Sequence, residues 1–293
     1  MTKTNRDGGP YDERYAELYN SIWWDHDHWK AEGEFHIKTI SELIKPESKW
    51  LDVGCGNGHF LSNFPEVDRV GLDYSEAMIE EAKKRNPNVD FYHQSIIDDN
   101  EALENTYDFV SCTGQPWSYL TNFSELEKAA TNLAKWTSDD GVCMLSQLDV
   151  SDLIGIDELP YFFDETDLPP GYAAVTGVYW IHKDISSTYH YCLSPNIDQW
   201  IRWLSVHFGK IEVRYGPHEP DYLTIPRRLL ICSEKRKKGD LQPTKIIGEP
   251  VPAFVTRNAN DVPYLSNKQL VKEMGRRIVN GSMLRAGVRR IFG

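Results

Sequence analysis

Residues 51–58 read LDVGCGNG, with glycine at 54, 56 and 58. Glycine lets backbone approach a ligand where a side chain would block it. The preceding KWLDVG reads as a short buried strand, so the loop amides of a strand-to-helix turn face the ligand. Asp73 closes a second strand, RVGLD, 21 positions after Asp52. In an α/β nucleotide-type site a carboxylate at that place takes ribose hydroxyls. A nicotinamide or flavin fingerprint, G-x-G-x-x-G, would need its third glycine where His59 stands. The spacing therefore favours a nucleoside-bearing ligand without a pyrophosphate.

A second stretch, SIWWDHDHWK at 21–30, gathers three tryptophans, two aspartates and two histidines. His26 and His28 lie two apart. On a helix such side chains point about 200° apart and cannot share a metal. The stretch reads as a hinge between two helices, without a third ligand, so no metal is expected.

The elements that must position these residues alternate. A helical rhythm runs through Tyr15, Leu18, Tyr19 and Ile22, and another from about Asp27 to Ile44, ended by Pro46. After the glycine loop a helix is expected through Phe60, Leu61 and Phe64. SEAMIEEAKKR is a helix with Ser75 as N-cap, and SELEKAATNLAKWT one with Ser124 as cap. VDFYHQS, YDFVSCTG and VCMLSQLD supply the third, fourth and fifth strands. Strand–helix alternation at this spacing predicts an α/β fold with a mainly parallel sheet. Residues 172–193 look like a hairpin, with Trp180 and His182 on one face of its first strand and Tyr189 and Tyr191 sharing a face of the second. A helix, NIDQWIRWLSVHF, and the strands KIEVRYGP and RRLLICSEK follow.

The G-x-G-x-G form after an acidic Asp52, with DYSEAM after the second strand, resembles the class I S-adenosylmethionine-dependent methyltransferases. The resemblance covers residues 45–150 well and continues toward 235. It implies a Rossmann-like, seven-stranded sheet with helices on both faces, an N-terminal helical lid and a β-hairpin insertion after strand five. Residues 1–45 would be the lid, 46–238 the cofactor domain with 151–195 covering the substrate, and 239–293 a basic extension. By the resemblance Asp52, Gly54, Cys55 and Gly56 hold the amino acid end of the cofactor, and Asp73 both ribose hydroxyls. Tyr74 and Met78 flank the adenine. HQSIID stands where the family often has a Gly-Asp pair, so Ser95 or the backbone of Ile96 supplies the adenine contact. Cys112 and Thr113 pass beneath the methionine part. Tyr19 and Lys30 would close on the cofactor from the lid. Gln115-Pro116-Trp117 reads as a turn at the pocket floor. Trp24, Trp117, Trp180 and Tyr189 are the expected substrate walls.

A hydroxyl acceptor needs a base, and His182, His190, His26 and His28 are the candidates. An amine acceptor needs only its neutral form. An aminopropyltransferase shares the fold, but CTGQPW offers no acidic diamine site. The resemblance leaves open O- or N-methylation of a small molecule or glycan, a silent cofactor-binding sensor or assembly protein, and a protein or RNA methyltransferase.

Charge narrows the partners. Residues 1–234 carry 19 Lys/Arg against 40 Asp/Glu, and residues 235–293 carry 13 against 4. The acidic body repels phosphates, so DNA is not expected as a partner. The basic tail pairs Arg276, Arg277, Arg285, Arg289 and Arg290 with apolar neighbours. It would either pack on the acidic body, within the chain or across a homodimer, or lie on an anionic membrane surface. The five cysteines are scattered and odd in number, which fits a reducing cytoplasm.

Overall fold

The structure, a computed structural model, describes residues 11–25, 27–148, 172–176, 179–183, 189–193, 195–216, 227–237, 239–240 and 242–248. Its elements belong to one of the chain's two compact units; the other, 219–224 and 253–293, lies outside the described residues.

Helices start where a short polar side chain takes an orphan amide. Asp12 caps α1, Glu13–Ile22, by accepting from Tyr15 N. After a short break α2 runs Asp27–Leu43. Ser75 caps α3, Glu76–Arg85, as expected, through Met78 N. The next helix, α4, Phe123–Trp136, is capped by Asn122 rather than Ser124. Asn122 Oδ1 accepts from Glu125 N at 3.0 Å, and Glu125 Oε2 accepts from Thr121 N and Thr121 Oγ1 at 2.8 Å. This reciprocal box starts the helix early. Asn196 caps α5, Ile197–Ser205.

The glycine loop is not followed by the expected helix. Only a 3-10 turn, Leu61–Asn63, forms. Pro65 disfavours helical backbone at Phe64, and Ser62 Oγ and Asn63 Nδ2 both donate to His59 O at 2.8 Å, offering the backbone an alternative.

The strands are β1 Lys49–Val53, β2 Asp68–Asp73, β3 Asp90–His93, β4 Tyr107–Cys112, β5 Thr137–Leu148, β6 Tyr172–Thr176, β7 Tyr179–Lys183, β8 Tyr189–Leu193, β9 Phe208–Tyr215, β10 Arg227–Lys235 and β11 Lys245–Gly248. Eight of them form one sheet in the order β11-β9-β10-β5-β4-β1-β2-β3. The five from β3 to β5 run parallel, β10 is antiparallel to its neighbours β5 and β9, and β11 is parallel to β9. The sheet thus has one strand more than the seven expected, and that strand lies past residue 238. The expected hairpin is a three-stranded antiparallel sheet, β6-β7-β8.

Buried side chains collect on both faces of the large sheet. One cluster joins Leu126 and Leu133 of α4 with Trp200 and Leu204 of α5; the other joins Ile40 of α2 with Trp50, Phe60 and Ile79. A third, smaller one seats Tyr15, Ala16 and Ile22 of α1 on Met78 of α3. Burial at this scale supplies most of the stabilisation, at roughly 25 cal/mol per Å² of apolar surface. The result is a rigid platform whose strand ends β1, β2 and β4 converge under α1.

Candidate cofactor and acceptor site

Beyond β1 the chain reverses sharply. Gly54 N and Cys55 N both donate to Leu72 O, and Gly54, Gly56 and Gly58 all have positive φ. A Cβ on Gly54 would stand 2.2 Å from Cβ and Cγ of Pro116, so the loop and the turn after β4 touch backbone to ring.

Asp73 closes the loop from the other side. Its Oδ2 accepts from Gly56 N and its Oδ1 from Ser75 N, both at 2.8 Å. Burial pushes its carboxyl up, against the backbone amides of Ser75 and Gly56. An ionised carboxylate offers about four lone-pair sites, and the amides of Ser75, Gly56 and Tyr74 do not use them all.

Asp52 lies beneath the loop, 1% exposed. In register with Ser111 across β1 and β4, it accepts from Ser111 Oγ at 2.6 Å, and Ser111 Oγ accepts from Trp50 Nε1 at 2.7 Å. Its other oxygen, Oδ2, is buried without a hydrogen-bond partner. Burial pushes the carboxyl from 3.8 to about 7, opposed by Ser111 and reinforced by Asp73. Such an orphan acceptor fits a cationic ammonium group.

This charge has a consequence for stability. Between pH 4 and 7 the folded state keeps a proton that the unfolded state has lost, so stability falls as pH rises through that window. The ligand-free Asp52→Asn variant should match the wild type near pH 4 and exceed it by about 2–4 kcal/mol at pH 8. Denaturant unfolding at both pH values measures this; a gap that does not change with pH would contradict it.

A cavity of about 350 Å³ opens over the loop. Tyr19, Gly54, Cys55, Gly56, Asp73, Tyr74, Met78, Ser95, Ile96 and Thr113 of the expected cofactor residues line it. Asp52 and Cys112 do not; both are buried under it. Lys30 is exposed and does not line the cavity either, so this cation of the lid does not stand over the loop. The Ser95 amide donates to Asp98 Oδ2 at 3.0 Å, which leaves it engaged within the loop after β3.

The N-terminal segment lies on the loop. Asn57 Nδ2 donates to Asn20 Oδ1 at 2.9 Å, and Ser75 Oγ to Tyr11 O at 2.8 Å. Trp24 stacks on His59, 5.0 Å between centroids and 10° between planes. Burial, with the Arg85 cation beside it, lowers His59 to about 4, so this ring is neutral. Trp24 thus lines the cavity at the glycine-loop end.

Trp117 was expected as a wall and is core instead. It is fully buried, donates from Nε1 to Ser146 O, and packs edge-on against Trp200 at 4.9 Å. The turn Pro116–Tyr119 directs Trp117 into the sheet–helix interface, while Pro116 and Tyr119 line the cavity. His190 is buried and bonded to Tyr119 and Tyr15. Trp180, His182 and Tyr189 are placed only by backbone, with His182 opposite His190 in the β7–β8 register. The side chains of His28, Trp180, His182 and Tyr189, and all of His26, lie outside the described residues. Sequence reasoning missed Tyr11, Tyr119, Asp98 and Glu125, all on the cavity wall. The Asn122-x-x-Glu125 spacing was a readable signal for the last.

A mainly parallel sheet with a glycine loop after its first strand, a buried carboxylate at the end of the second and an aromatic N-terminal segment over the loop is a Rossmann-like arrangement of the class I methyltransferase type. A family model described as methyltransferase domain matches residues 30–206. The chain belongs to that family, whose cofactor is S-adenosylmethionine. It is 26% identical over 187 residues to a dTDP-3-amino-3,6-dideoxy-alpha-D-glucopyranose N,N-dimethyltransferase of Streptomyces fradiae, covering 59% of this chain. The chain spans 64% of the length of that relative. The crystal structure of PH0226 protein from Pyrococcus horikoshii OT3 superposes with a TM-score of 0.55 at 15% identity, covering 76% of this chain and 99% of that one. N-methyltransferase NodS from Bradyrhizobium japonicum WM9, in complex with S-adenosyl-l-homocysteine, gives 0.51 at 14% identity over 76% and 98%. At such identities these two share the fold.

The residues fit the cofactor. Asp52 Oδ2 is an orphan acceptor for its ammonium, Asp73 has lone pairs left for its ribose, and the glycine loop is bare of side chains at the closest approach.

Proposed function

We propose that the protein transfers a methyl group from S-adenosylmethionine to an oxygen or nitrogen of a small molecule or glycan. The observation that carries this is the pairing of the Asp73 carboxylate with a bare glycine loop on a cavity whose far wall is tyrosine. The cofactor, when bound, supplies an electrophilic methyl on a sulfonium. The chain's part is to hold it, align the acceptor and exclude water. Tyrosine faces tolerate the cation. The Streptomyces relative, by its name, methylates an amino sugar nucleotide. Formation of S-adenosylhomocysteine from panels of amine and hydroxyl acceptors tests the proposal. Binding of the cofactor without turnover of any acceptor would favour a sensor.

The lid is expected to tighten further on binding. Hydrogen exchange over residues 11–40 should slow at least several-fold with S-adenosylhomocysteine. Unchanged exchange there would remove the lid role.

A cytoplasmic location is part of this proposal, supported by five cysteines that are scattered and odd in number. No helix among the described residues is long and apolar enough to cross a membrane. For the basic tail, outside the described residues, contact with an anionic lipid surface is kept as a proposal beside packing on the acidic body or in a homodimer. Sedimentation with anionic vesicles at low salt separates them; no association would end the membrane reading.

A further inference from the structure

Two carboxylates lie at the glycine loop, and their surroundings differ. Asp73 accepts from the amides of Gly56 and Ser75 at 2.8 Å. Asp52 accepts from one neutral hydroxyl, Ser111 Oγ, at 2.6 Å, and its Oδ2 has no hydrogen-bond partner. Asp52 and Ser111 are both buried, and the β1–β4 register sets them side by side. Trp50, on the same strand as Asp52, fixes the direction of this chain of bonds. An indole N–H can only donate. Trp50 Nε1 therefore uses Ser111 Oγ as an acceptor at 2.7 Å, and the hydroxyl hydrogen of Ser111 goes to Asp52 Oδ1. Oδ1 is thereby an acceptor, and Oδ2 is the oxygen left to hold a proton or meet a cation.

The titratable groups that bear on Asp52 come from four elements. Among the described residues they are Asp73 at the end of β2, Tyr19 of α1, Cys55 of the loop and Cys112 of β4. Each of them ionises to an anion. Burial and Asp73 oppose the Asp52 carboxylate, and the Ser111 bond favours it. A buried charge is stabilised when an opposite charge with hydrogen-bond donors reaches it. Gly54, Cys55 and Tyr19 line the cavity over Asp52, and no lysine or arginine among the described residues does. His59, the imidazole on that wall, is neutral. The opposite charge has to arrive with the ligand.

We infer that the ammonium group of the bound cofactor displaces a proton from Asp52, and that Ser111, oriented by Trp50, is the positioning residue for this exchange. The inference rests on the methyltransferase reading and deepens it. In the step the O–H bond of the carboxylic acid breaks, its electron pair stays on Oδ2, and the proton passes to solvent. The cofactor keeps its ammonium protons and donates one of them to the oxygen so freed. Cofactor affinity therefore climbs with pH while the ligand-free protein still holds the proton, and levels off once Asp52 is ionised. Ser111 stabilises the carboxylate before the ligand arrives, so its loss makes the proton harder to displace. It is fully buried and does not line the cavity; it acts through Asp52.

Calorimetric titrations of the full chain, in pairs of buffers with different ionisation enthalpies, count the protons released. Two ligands are compared: S-adenosylhomocysteine, and 5′-methylthioadenosine, which keeps the adenosine and the sulfur but has no amino acid end. Both meet Asp73 through the ribose, so their difference isolates Asp52. At pH 6 the first should release about 0.9 proton more than the second, and at pH 7 about half a proton more. Its affinity relative to methylthioadenosine should rise about 5-fold between those two pH values and flatten above them. In Asp52→Asn the difference in proton release should vanish. Ser111→Ala should release more protons than wild type at pH 7. It should also bind S-adenosylhomocysteine several-fold more weakly at pH 6, a gap that narrows above pH 7 and is absent with methylthioadenosine. A loss in Ser111→Ala that is equal for both ligands and at every pH would mean a structural role and overturns the part given to Ser111. Equal proton release with both ligands in the wild type overturns the whole inference, and that comparison needs no variant to fold. Failure of the wild type to bind either ligand would sink the methyltransferase reading itself.

Discussion

Asp73→Ala should weaken S-adenosylhomocysteine binding by about 3 kcal/mol, more than 100-fold, in a calorimetric titration. Two losses combine. The ribose loses its charge-assisted acceptor, and the loop loses the acceptor that holds Gly56 N and Ser75 N. For the same reason Asp73→Asn should do about as badly as alanine. Both carboxylate oxygens accept from backbone amides, so a side-chain NH2 must face one of those donors. An asparagine variant with near-normal affinity would break the ribose assignment. NAD should give no heat in the same cell; micromolar binding would contradict the reading of the glycine spacing.

Gly54→Ala should destabilise the fold by about 4 kcal/mol, from a backbone conformation unfavourable to L-residues and a clash that the Pro116 ring cannot yield to. The molecule contains its own control. Gly114 has the same φ of 69°, but a Cβ there meets nothing within 4 Å. Gly114→Ala should therefore cost only about 1–2 kcal/mol. Denaturant midpoints of the two variants measure the clash by difference, and equal midpoints would show that Pro116 moves aside at little cost.

These two sites show what the sequence makes legible. A glycine loop, its acidic partner on the next strand and a serine N-cap are local patterns, and the structure sets them where their spacing implies. The tryptophan of the turn after β4 was misassigned because an aromatic beside a pocket and an aromatic beneath it read alike. Gln115, at φ 60°, turns Trp117 inward against Trp200, and those two rings stand 83 positions apart in the chain. The hydrogen bonds around His190 span 71 and 175 residues, a separation at which no periodicity speaks. The helix expected after the loop failed for a nearer reason: Pro65 and the side chains of Ser62 and Asn63 outweigh a suggestive apolar spacing. Strand β11 went unread because four residues between proline-bearing stretches have no pattern of their own; only β9 gives them a partner.

The pairing of β11, the last of the described strands, matters when the chain is made in the laboratory. Lys245–Gly248 pairs in parallel with Lys210–Val213 along the outer side of β9. Stopping the polypeptide at Lys238, where composition alone suggests a boundary, would leave that ladder unpaired along a strand carrying Ile211 and Val213. An exposed, apolar-bearing rim of this kind templates intermolecular strand addition. Aggregation of such a shortened protein would then report a stripped rim rather than a tail essential to catalysis, and a cut placed after Gly248 avoids the confusion.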